Sequence, residues 1–503
     1  MVFNSAVFLF FFFWVFIAYW SLGRLSRGVI WQNRFLLLVS YVFYGYWDWV
    51  FLGLIFISTG IDYSVGRSLE KTESLKKRRI LLSISIAANL GLLGAFKYFD
   101  FFASSFVLMA RSVFPGSFPD GADSLLLKVI LPVGISFYTF QTLSYTIDVY
   151  RRLIPAERNL PDFALFVCFF PQLVAGPIER AKDLLPQFKE RRVFHPDDLS
   201  KGAWLMLLGF FMKVYVADNL DPLVNMVYLD GRATYEKFPQ LAAGPGGFHV
   251  FLASIGFAFQ IYGDFAGYSC IALGTARMMG IRLSVNFNAP ELSQNPVEFW
   301  RRWHITLNRW LQDYVYIPLG GSRMGRLAKE RNIFLAFMLV GLWHGANWTF
   351  VLWGVFHGVW LILYDLTVDR LPRLKEDARP FLRRMAVVLK MLGVFTVFGL
   401  TAVFFRAYDL KHSLILLKSL FTFPWPWEAS ASLNQLPAAG SYFSAIFNKI
   451  FVLLLLDIAA YRYKNYFWIF DRPLFVRVAV YTLLFLSILV MGVFGKDVIY
   501  FAF

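Results

Sequence analysis

The sequence has few charged residues and almost no cysteine. Only 16% of its 503 residues are charged, and the two cysteines, Cys168 and Cys270, both lie in apolar runs. Charged residues make up about a quarter of an ordinary soluble globular domain, so this composition argues against that class of protein. Two such cysteines provide neither a disulfide framework nor the spacing of a metal site. We therefore expect no bound metal.

Several catalytic motifs are also missing. The chain has no Gly-x-Ser-x-Gly nucleophile turn, no His-Glu-x-x-His pair and no phosphate-binding loop with a lysine. These absences argue against a serine hydrolase of the usual kind, a zinc protease and a nucleotide hydrolase.

Long apolar stretches are abundant instead. Hydrophobic residues make up 58% of the chain and aromatic residues 19%. A helix that crosses a bilayer needs roughly 20 such residues. The sequence therefore predicts an all-α polytopic membrane protein, with one integral membrane domain over residues 1–503. Candidate spans lie near 2–22, 80–97, 126–150, 202–217, 250–275, 346–366, 385–405, 446–462 and 473–495.

The net charge of +16 does not indicate nucleic acid binding. The basic residues fall in short loops beside apolar segments, which is the pattern of cytoplasmic loops in membrane proteins. We expect the lipid bilayer as the surrounding medium and no nucleic acid as a partner.

The basic clusters also predict two hairpins. Residues 35–66 are too long for one crossing and are interrupted at Tyr46-Trp47-Asp48-Trp49, which predicts two helices. Residues 332–366 lie between two basic clusters, which predicts a second hairpin with its turn at Trp343–Asn347. His344 would then lie deep in the membrane or towards its outer face.

The stretch 159–178 is predicted to be re-entrant. It is apolar and has basic clusters on both sides, but Pro171, Gly176 and Pro177 interrupt it. Proline removes a backbone donor and breaks a helix. Irregular backbone at membrane depth is tolerated where protein or a water-filled cavity covers it.

Residues 300–314 show a helical pattern with two different faces. The apolar and aromatic residues of this stretch recur at helical spacing. His304 falls on the same face, so we expect it to point into the protein. A surface amphipathic helix whose histidine makes only a local hydrogen bond is an equal alternative. The predicted inner face holds Trp300, Trp303, His304, Leu307, Trp310, Leu311 and Tyr314, and the outer face holds Arg301, Arg302, Asn308 and Arg309.

Of the six histidines, His304 and His344 are the strongest candidates for a site. His344 lies in Gly341-Leu342-Trp343-His344-Gly345, and an ionisable residue at membrane depth is a functional candidate by default. His357 follows His344 by 13 residues, so on a straight helix it would point away; we interpret it as structural. Histidine is also the usual general base near neutral pH.

A polar cavity is predicted from further buried polar residues. Asp264 and Tyr268 lie in the run Tyr262-Gly263-Asp264-Phe265-Ala266-Gly267-Tyr268-Ser269, and Asp148 ends another such run. Each one alone could simply bond a neighbouring helix.

At these residues the sequence resembles the membrane-bound O-acyltransferase family. It is most similar to the bacterial branch that contains the membrane subunit of alginate O-acetyltransferase. The resemblance covers nearly the whole chain. The matching segments are Met1–Ser5, Pro132–Tyr138, Ala175-Gly176-Pro177, Asp264–Ser269, Glu298–His304 and Leu342–Gly345. One departure is Cys270, where close relatives often carry aspartate.

The resemblance implies a fold and an activity. The fold would be a bundle of about eleven spanning helices, each long enough for the hydrocarbon core, plus re-entrant helices around a tunnel. It implies that His344 is the catalytic histidine and that His304 is a second conserved polar position. It also implies a separate extracytoplasmic partner of the SGNH-hydrolase type and a place in the bacterial inner membrane.

The expected function is therefore transfer of an acyl group, with a catalytic core over about residues 126–366. The donor would be acetyl-CoA or another thioester, used as a substrate and not as a bound cofactor, entering near Arg301, Arg302, Arg323 and Arg326. The acceptor would be a hydroxyl of the partner protein or of an exopolysaccharide such as alginate. A transporter or flippase of an acyl donor or lipid-linked glycan, and a scaffold without chemistry, are the alternatives. Expected substrate-binding residues are Asn288, Trp300, Trp303, Arg301, Arg302, Asp264, Tyr268 and Asn347.

Overall fold

The structure is a computed structural model that describes residues 1–114, 126–127, 129–174, 176–228, 247–368, 379–421 and 439–499. Ala175, part of one quoted motif, lies outside the described residues. Regular structure within these ranges is helical, without strands. The α-helices are α1 Ala6–Leu22, α2 Gly28–Asp48, α3 Leu52–Lys71, α4 Leu75–Leu93, α5 Phe99–Val113, α6 Ile135–Tyr150, α7 Leu160–Cys168, α8 Phe170–Leu173, α9 Ala181–Lys189, α10 Pro196–Phe210, α11 Asp218–Tyr228, α12 Gly247–Met278, α13 Pro296–Arg302, α14 Ile305–Leu311, α15 Arg326–His344, α16 Trp348–Thr367, α17 Pro380–Arg406, α18 Leu410–Phe421, α19 Ala439–Tyr463 and α20 Leu474–Met491.

The protein is an all-α polytopic membrane protein, as the sequence predicts. Among the described residues, eight helical stretches are long and apolar enough to cross a bilayer. Helix α20 exposes most of its apolar side chains, whereas α12 buries nearly all of its own. An exposed apolar helix surface suits contact with lipid, because the helix satisfies its own backbone groups. The number of about eleven spanning helices stays a prediction.

The chain forms two compact units, Met1–Ala203 with Ala272–Ser284, and Trp204–Ile271 with Val285–Phe503. The prediction of one domain over residues 1–503 stays a prediction. In the first unit, a buried polar network joins α3, α4 and α6. Asp62 accepts hydrogen bonds from Ser85 Oγ, from Asn89 Nδ2 at 2.8 Å and from Thr146 Oγ1 at 3.0 Å. Such a network satisfies a buried carboxyl group, which would otherwise be costly.

The break predicted at residues 46–49 is confirmed. Helix α2 ends at Asp48, and a 3₁₀ turn over Trp49–Phe51 leads into α3. The Asp48 side chain accepts a hydrogen bond from Val50 N at 2.9 Å, which caps the turn.

The interruption predicted within 159–178 is also confirmed. Helices α7 and α8 have only nine and four residues, and at 1.5 Å per residue neither can cross a bilayer. Pro171 lies in the first turn of α8, where a missing N–H costs nothing. The depth of this segment in the membrane stays a prediction.

One predicted span is shorter than expected. The apolar stretch 126–150 becomes helical only at Ile135, after Gly134 at φ 77°. A Cβ atom at residue 134 would lie 2.7 Å from Leu173 O, so both the backbone angle and the close approach favour glycine. Helix α6 is buried on nearly all its sides, and its hydroxyl groups at Thr142, Ser144 and Thr146 donate hydrogen bonds within the protein.

The second unit contains the predicted hairpin. Helix α15 ends at His344, a three-residue turn follows, and α16 begins at Trp348. The two helices pack closely because Gly341 and Gly354 meet between them, and a Cβ atom on Gly341 would lie 2.2 Å from Phe350 O. Small residues allow this approach between membrane helices. The predicted turn at 343–347 is therefore confirmed.

The continuous helix predicted over 300–314 is wrong. Helix α13 ends at Arg302, Trp303 is extended, and His304 has left-handed backbone angles (φ 43°, ψ 55°) before α14 begins. Asn308 Nδ2 donates to Trp300 O at 2.7 Å and to Trp303 O at 2.6 Å. Asn308 thus binds the carbonyl groups released by the break, which a periodic pattern of apolar residues does not reveal.

Candidate functional site

His344 is enclosed by aromatic rings at the end of α15. Its ring centroid lies 4.9 Å from that of Trp343, 5.1 Å from Trp353 on α16 and 5.1 Å from Phe405 on α17. The side chain is 3% exposed. Gly345 is required beside it, because a Cβ atom there would overlap the Phe350 ring at 2.2 Å. The hairpin turn therefore fixes the position of the histidine.

His304 lies in the same aromatic region, although it comes from a different segment. Its ring contacts Phe265 on α12 at 4.7 Å, Phe287 at 6.5 Å and Trp343 at 5.7 Å between centroids. Trp343 thus contacts both His304 and His344. The prediction that His304 points into the protein is confirmed, although the helix that was expected to carry it is broken.

The ring nitrogens of His304 are available for a ligand. The side chain is 1% exposed, and neither Nδ1 nor Nε2 has a hydrogen-bond partner among the described residues. Burial lowers the pKa of His304 to about 3, so the ring is neutral at physiological pH. A neutral imidazole presents one N–H donor and one bare nitrogen. Buried polar atoms of this kind normally have partners.

Asn286 holds the strained backbone at His304 in place. Its carbonyl accepts from Ile305 N at 2.9 Å, and its side-chain oxygen accepts from Thr306 Oγ1 at 2.6 Å. Its Nδ2 donates to Ser269 Oγ at 3.2 Å. A left-handed backbone outside glycine costs on the order of 1 kcal/mol or more. Asn286 offsets part of that cost through its two bonds to the residues that directly follow His304.

His357 also belongs to this aromatic region, and the straight helix on which its predicted orientation depends is absent. Its ring centroid lies 4.6 Å from that of Trp353, which itself contacts His344. The prediction assumed one straight helix through both histidines. The turn at Gly345–Asn347 breaks that helix, so His344 and His357 come from the two arms of a hairpin.

Asp264 and Tyr268 are buried on α12. Asp264 Oδ1 accepts from Lys213 Nζ at 2.6 Å, and its Oδ2 accepts from Ile499 N at 2.9 Å. Lys213 also donates to Asp218 Oδ1 at 2.7 Å and to Asp497 O at 3.0 Å. Asp264 thus belongs to a buried ion cluster, which we define as Lys213, Asp218 and Asp264.

The remaining predicted residues take three kinds of position. Trp303 is buried between Phe287 and Phe398, with ring centroids at 5.2 and 4.8 Å. Asn347 caps α16, accepting from Thr349 N at 3.0 Å. The third group lies nearer the surface. Asn288, Arg301, Arg323 and Arg326 are exposed. Arg302 is partly exposed and pairs with Glu298 at 2.9 Å.

No metal site accompanies the histidines in the described part of the chain, where no three His, Cys, Asp or Glu side chains lie together as ligands. The polar groups that the described residues bring to this site are imidazole nitrogens and indole N–H groups in an aromatic enclosure. Such a site can exchange protons with a substrate and donate hydrogen bonds to it.

Sequence reasoning missed several residues of the site. Trp353 and His357 are four residues apart, which puts them on one helix face, and this spacing was a usable signal. Asn286 and Phe405 come from segments far away in the chain. Neither position has a local pattern that marks it, because it approaches the site only in the folded protein.

Comparisons with known proteins agree with this architecture. The family model described as MBOAT, membrane-bound O-acyltransferase family, matches residues 152–405. The chain is 38% identical over 429 residues to a protein of Azotobacter vinelandii named "Probable alginate O-acetylase AlgI", covering 84% of this chain and 78% of that one. A Pseudomonas aeruginosa protein of the same name is 38% identical (88% and 78% covered). The "Peptidoglycan O-acetyltransferase" of Helicobacter pylori is 35% identical (84% and 80% covered).

Proposed function

Because this chain belongs to the membrane-bound O-acyltransferase family, and is therefore a multi-pass membrane acyltransferase, we propose that it transfers acetyl groups from a cytoplasmic thioester to an extracytoplasmic hydroxyl. The donor is acetyl-CoA or a similar thioester. The observation that carries the proposal is His304, a fully buried histidine with no hydrogen-bond partner on either ring nitrogen among the described residues. Its ring reaches His344 through Trp343.

In the proposed mechanism, His344 acts as general base. It takes the proton of the acceptor hydroxyl while the hydroxyl oxygen attacks the thioester carbonyl carbon. The new C–O bond forms, and the carbonyl oxygen becomes an oxyanion. The C–S bond then breaks, and the leaving thiolate takes the proton from His344. The products are an acetyl ester and a free thiol, and the histidine returns to its neutral form.

His304 has a complementary role in this proposal. Its ring is neutral, so one nitrogen can donate a hydrogen bond to the thioester oxygen as negative charge develops there. Removal of one such donor from other enzymes costs about 10²–10³ in rate. The left-handed backbone at residue 304, held by Asn286, would keep that donor at a fixed position.

The donor is proposed to approach along the basic segments. Arg301 and Arg323 are exposed, and arginine binds phosphate groups through paired hydrogen bonds. Arg326 is exposed too, but its Nε already pairs with Glu330 at 3.1 Å. Arg302 is less suited, because Glu298 and the Tyr461 ring already engage its guanidinium group. The same arginines also fit the charge pattern of cytoplasmic loops.

The acceptor is proposed to be a serine of an SGNH-hydrolase-type partner, or a polysaccharide, outside the bacterial inner membrane. Support comes from the relatives, whose names refer to alginate and peptidoglycan. A transporter that moves an acyl donor without chemistry is the competing function, because buried histidine and aspartate also suit proton relays.

Radiolabelled acetyl-CoA tests the proposal with the purified protein in liposomes. The wild type is expected to release CoA and to label an added acceptor. His344→Ala is expected to lower the rate about 10²–10⁴-fold, the usual contribution of a general base. His195→Ala is the matched control, because His195 is exposed near the start of α10 and should leave the rate unchanged.

Two outcomes would contradict the proposal. A wild-type rate in His344→Ala would remove the assigned base. Movement of labelled acetyl-CoA across the membrane without release of CoA would favour the transporter.

A further inference from the structure

The hydrogen bonding of His357 fixes which of its nitrogens is free. Thr401 Oγ1 donates its only proton to Phe398 O at 2.7 Å. In the 3.0 Å contact between His357 Nε2 and Thr401 Oγ1, the histidine must therefore be the donor. In the neutral ring Nδ1 is then a bare acceptor. It is fully buried and has no partner among the described residues.

A second unsatisfied polar atom adjoins this ring. Trp300 on α13 packs edge-on against His357, with ring centroids 5.0 Å apart. Its indole N–H can only donate, and this buried donor has no acceptor in the part of the chain that the structure describes. One unpaired donor and one unpaired acceptor thus lie on two contacting rings.

Trp353 lies between these two side chains and His344. Its ring centroid is 5.1 Å from that of His344, 4.6 Å from that of His357 and 5.8 Å from that of Trp300. An unmade hydrogen bond at a buried group costs about 1–3 kcal/mol. Two such atoms on contacting rings are best explained by a ligand group that completes both bonds.

We propose that Trp300 Nε1 and His357 Nδ1 form a second binding subsite for a substrate group that accepts one hydrogen bond and donates another. A secondary amide has this chemistry, since its carbonyl would accept from Trp300 and its N–H would donate to His357. A hydroxyl group has it too. The proposal rests on the proposed acyl transfer, and it gives Trp300 and His357 the role of positioning a substrate beside His344.

Steady-state kinetics with three donors test the subsite. Acetyl-CoA and S-acetyl-N-acetylcysteamine contain amide groups, and S-ethyl thioacetate contains none. Each of His357→Phe and Trp300→Phe is expected to raise the donor KM about 3- to 10-fold for the first two donors, which is the loss of one neutral hydrogen bond. The KM for S-ethyl thioacetate should not change. If the group is instead a hydroxyl of the acceptor, the acceptor KM rises with every donor.

Two variants separate binding from folding. His357→Asn puts a side-chain oxygen near the position of Nδ1, so it should recover most of the affinity that His357→Phe loses. Trp204→Phe is the matched control, because the Trp204 indole donates to Tyr466 O at 3.0 Å and needs no ligand. It should lower the melting temperature without a change in KM.

The result that would overturn the subsite is an unchanged KM for every donor and acceptor in both phenylalanine variants. A wild type without acyl transfer would instead overturn the proposed function. In that case the thermal shift caused by acetyl-CoA decides the subsite: a smaller shift in His357→Phe than in wild type supports it, and an equal shift overturns it.

Discussion

The second unit contains two buried polar regions that differ in how their polar atoms are satisfied. In the ion cluster, Lys213 donates to Asp218, Asp264 and a backbone carbonyl, and both oxygens of Asp264 accept hydrogen bonds. In the aromatic region, His304, Trp300 and His357 keep nitrogens without partners among the described residues. Both regions are equally buried, so burial alone does not distinguish them.

The difference indicates separate roles. Burying a charge is costly unless it is paired, and in the ion cluster Lys213 pairs with both Asp218 and Asp264. One oxygen of this cluster, Asp218 Oδ2, has no hydrogen-bond partner among the described residues, but its carboxylate still has the lysine as its counter-charge. Buried polar atoms without partners are rare in native proteins and call for an explanation. We therefore attribute a structural role to the ion cluster and substrate binding to the aromatic region. The prediction that Asp264 binds substrate is untested, and its pairing with Lys213 argues against it.

Loss of Lys213 from the ion cluster should have the largest effect on the stability of the folded protein. Lys213→Met leaves the carboxyl groups of Asp218 and Asp264 buried without a cation, which we expect to cost about 3–5 kcal/mol. Thermal unfolding in detergent measures this loss. The control is Lys201→Met, which removes an ion pair with the exposed Asp197 and should cost less than about 1 kcal/mol. Equal melting temperatures in both variants would contradict the structural role.

A smaller effect is expected from the hairpin that carries His344. In Gly341→Ala the new Cβ atom would lie 2.2 Å from Phe350 O, so the two helices must move apart. Such overpacking costs about 1–3 kcal/mol, and the displaced His344 should lower the transfer rate. Gly393→Ala is the control, because its new Cβ would meet no atom of the other described residues within 4 Å, its own helix turn aside. If both variants keep wild-type activity and stability, the close approach does not position the histidine.

The smallest effect concerns Glu179 in the first unit, a buried carboxyl whose hydrogen-bond donors among the described residues are neutral. It accepts from Ser284 N at 2.5 Å and from Ser284 Oγ at 3.0 Å, and burial raises its pKa to about 7. Between about pH 4.5 and 7 the folded state therefore binds more protons than the unfolded state. Stability should fall as pH rises through this window, by about 1 kcal/mol per pH unit.

Glu179→Gln tests this expectation, because glutamine can bond both Ser284 groups without ionising. Its melting temperature should vary less with pH than that of the wild type between pH 5 and 7. Identical pH profiles for the two proteins would show that this carboxyl does not titrate as described.

The sequence predicted features that depend on neighbouring residues better than features that depend on distant ones. The break at Trp49 and the turn after His344 follow from local interruptions between charged clusters, and both are confirmed. The helix over 300–314 had a correct pattern of burial, yet its backbone breaks at His304. Asn308 within this stretch and Asn286 outside it both bond to the broken backbone, and the pattern of apolar residues reveals neither contact.

The same contrast between local and distant contacts explains which residues of the site the sequence predicted. His304 and His344 could be selected because each is a histidine in an aromatic context. His357 was excluded by a calculation that assumed one straight helix, and the turn at Gly345 invalidates that assumption. Trp353 could have been found from its four-residue spacing to His357, whereas Phe405 has no local pattern that marks it, because aromatic residues are common throughout this chain.

His304→Phe tests the central distinction most directly. Phenylalanine keeps a ring in the aromatic enclosure and removes two buried nitrogens that have no partner among the described residues. We predict that the melting temperature stays within a few degrees of the wild type, because replacing unpaired buried polar atoms by carbon costs little. Acetyl transfer should fall by about 10²-fold or more, because a donor to the developing oxyanion is lost. A variant that transfers acetyl groups at the wild-type rate, or one whose loss of activity follows from unfolding, would contradict the account.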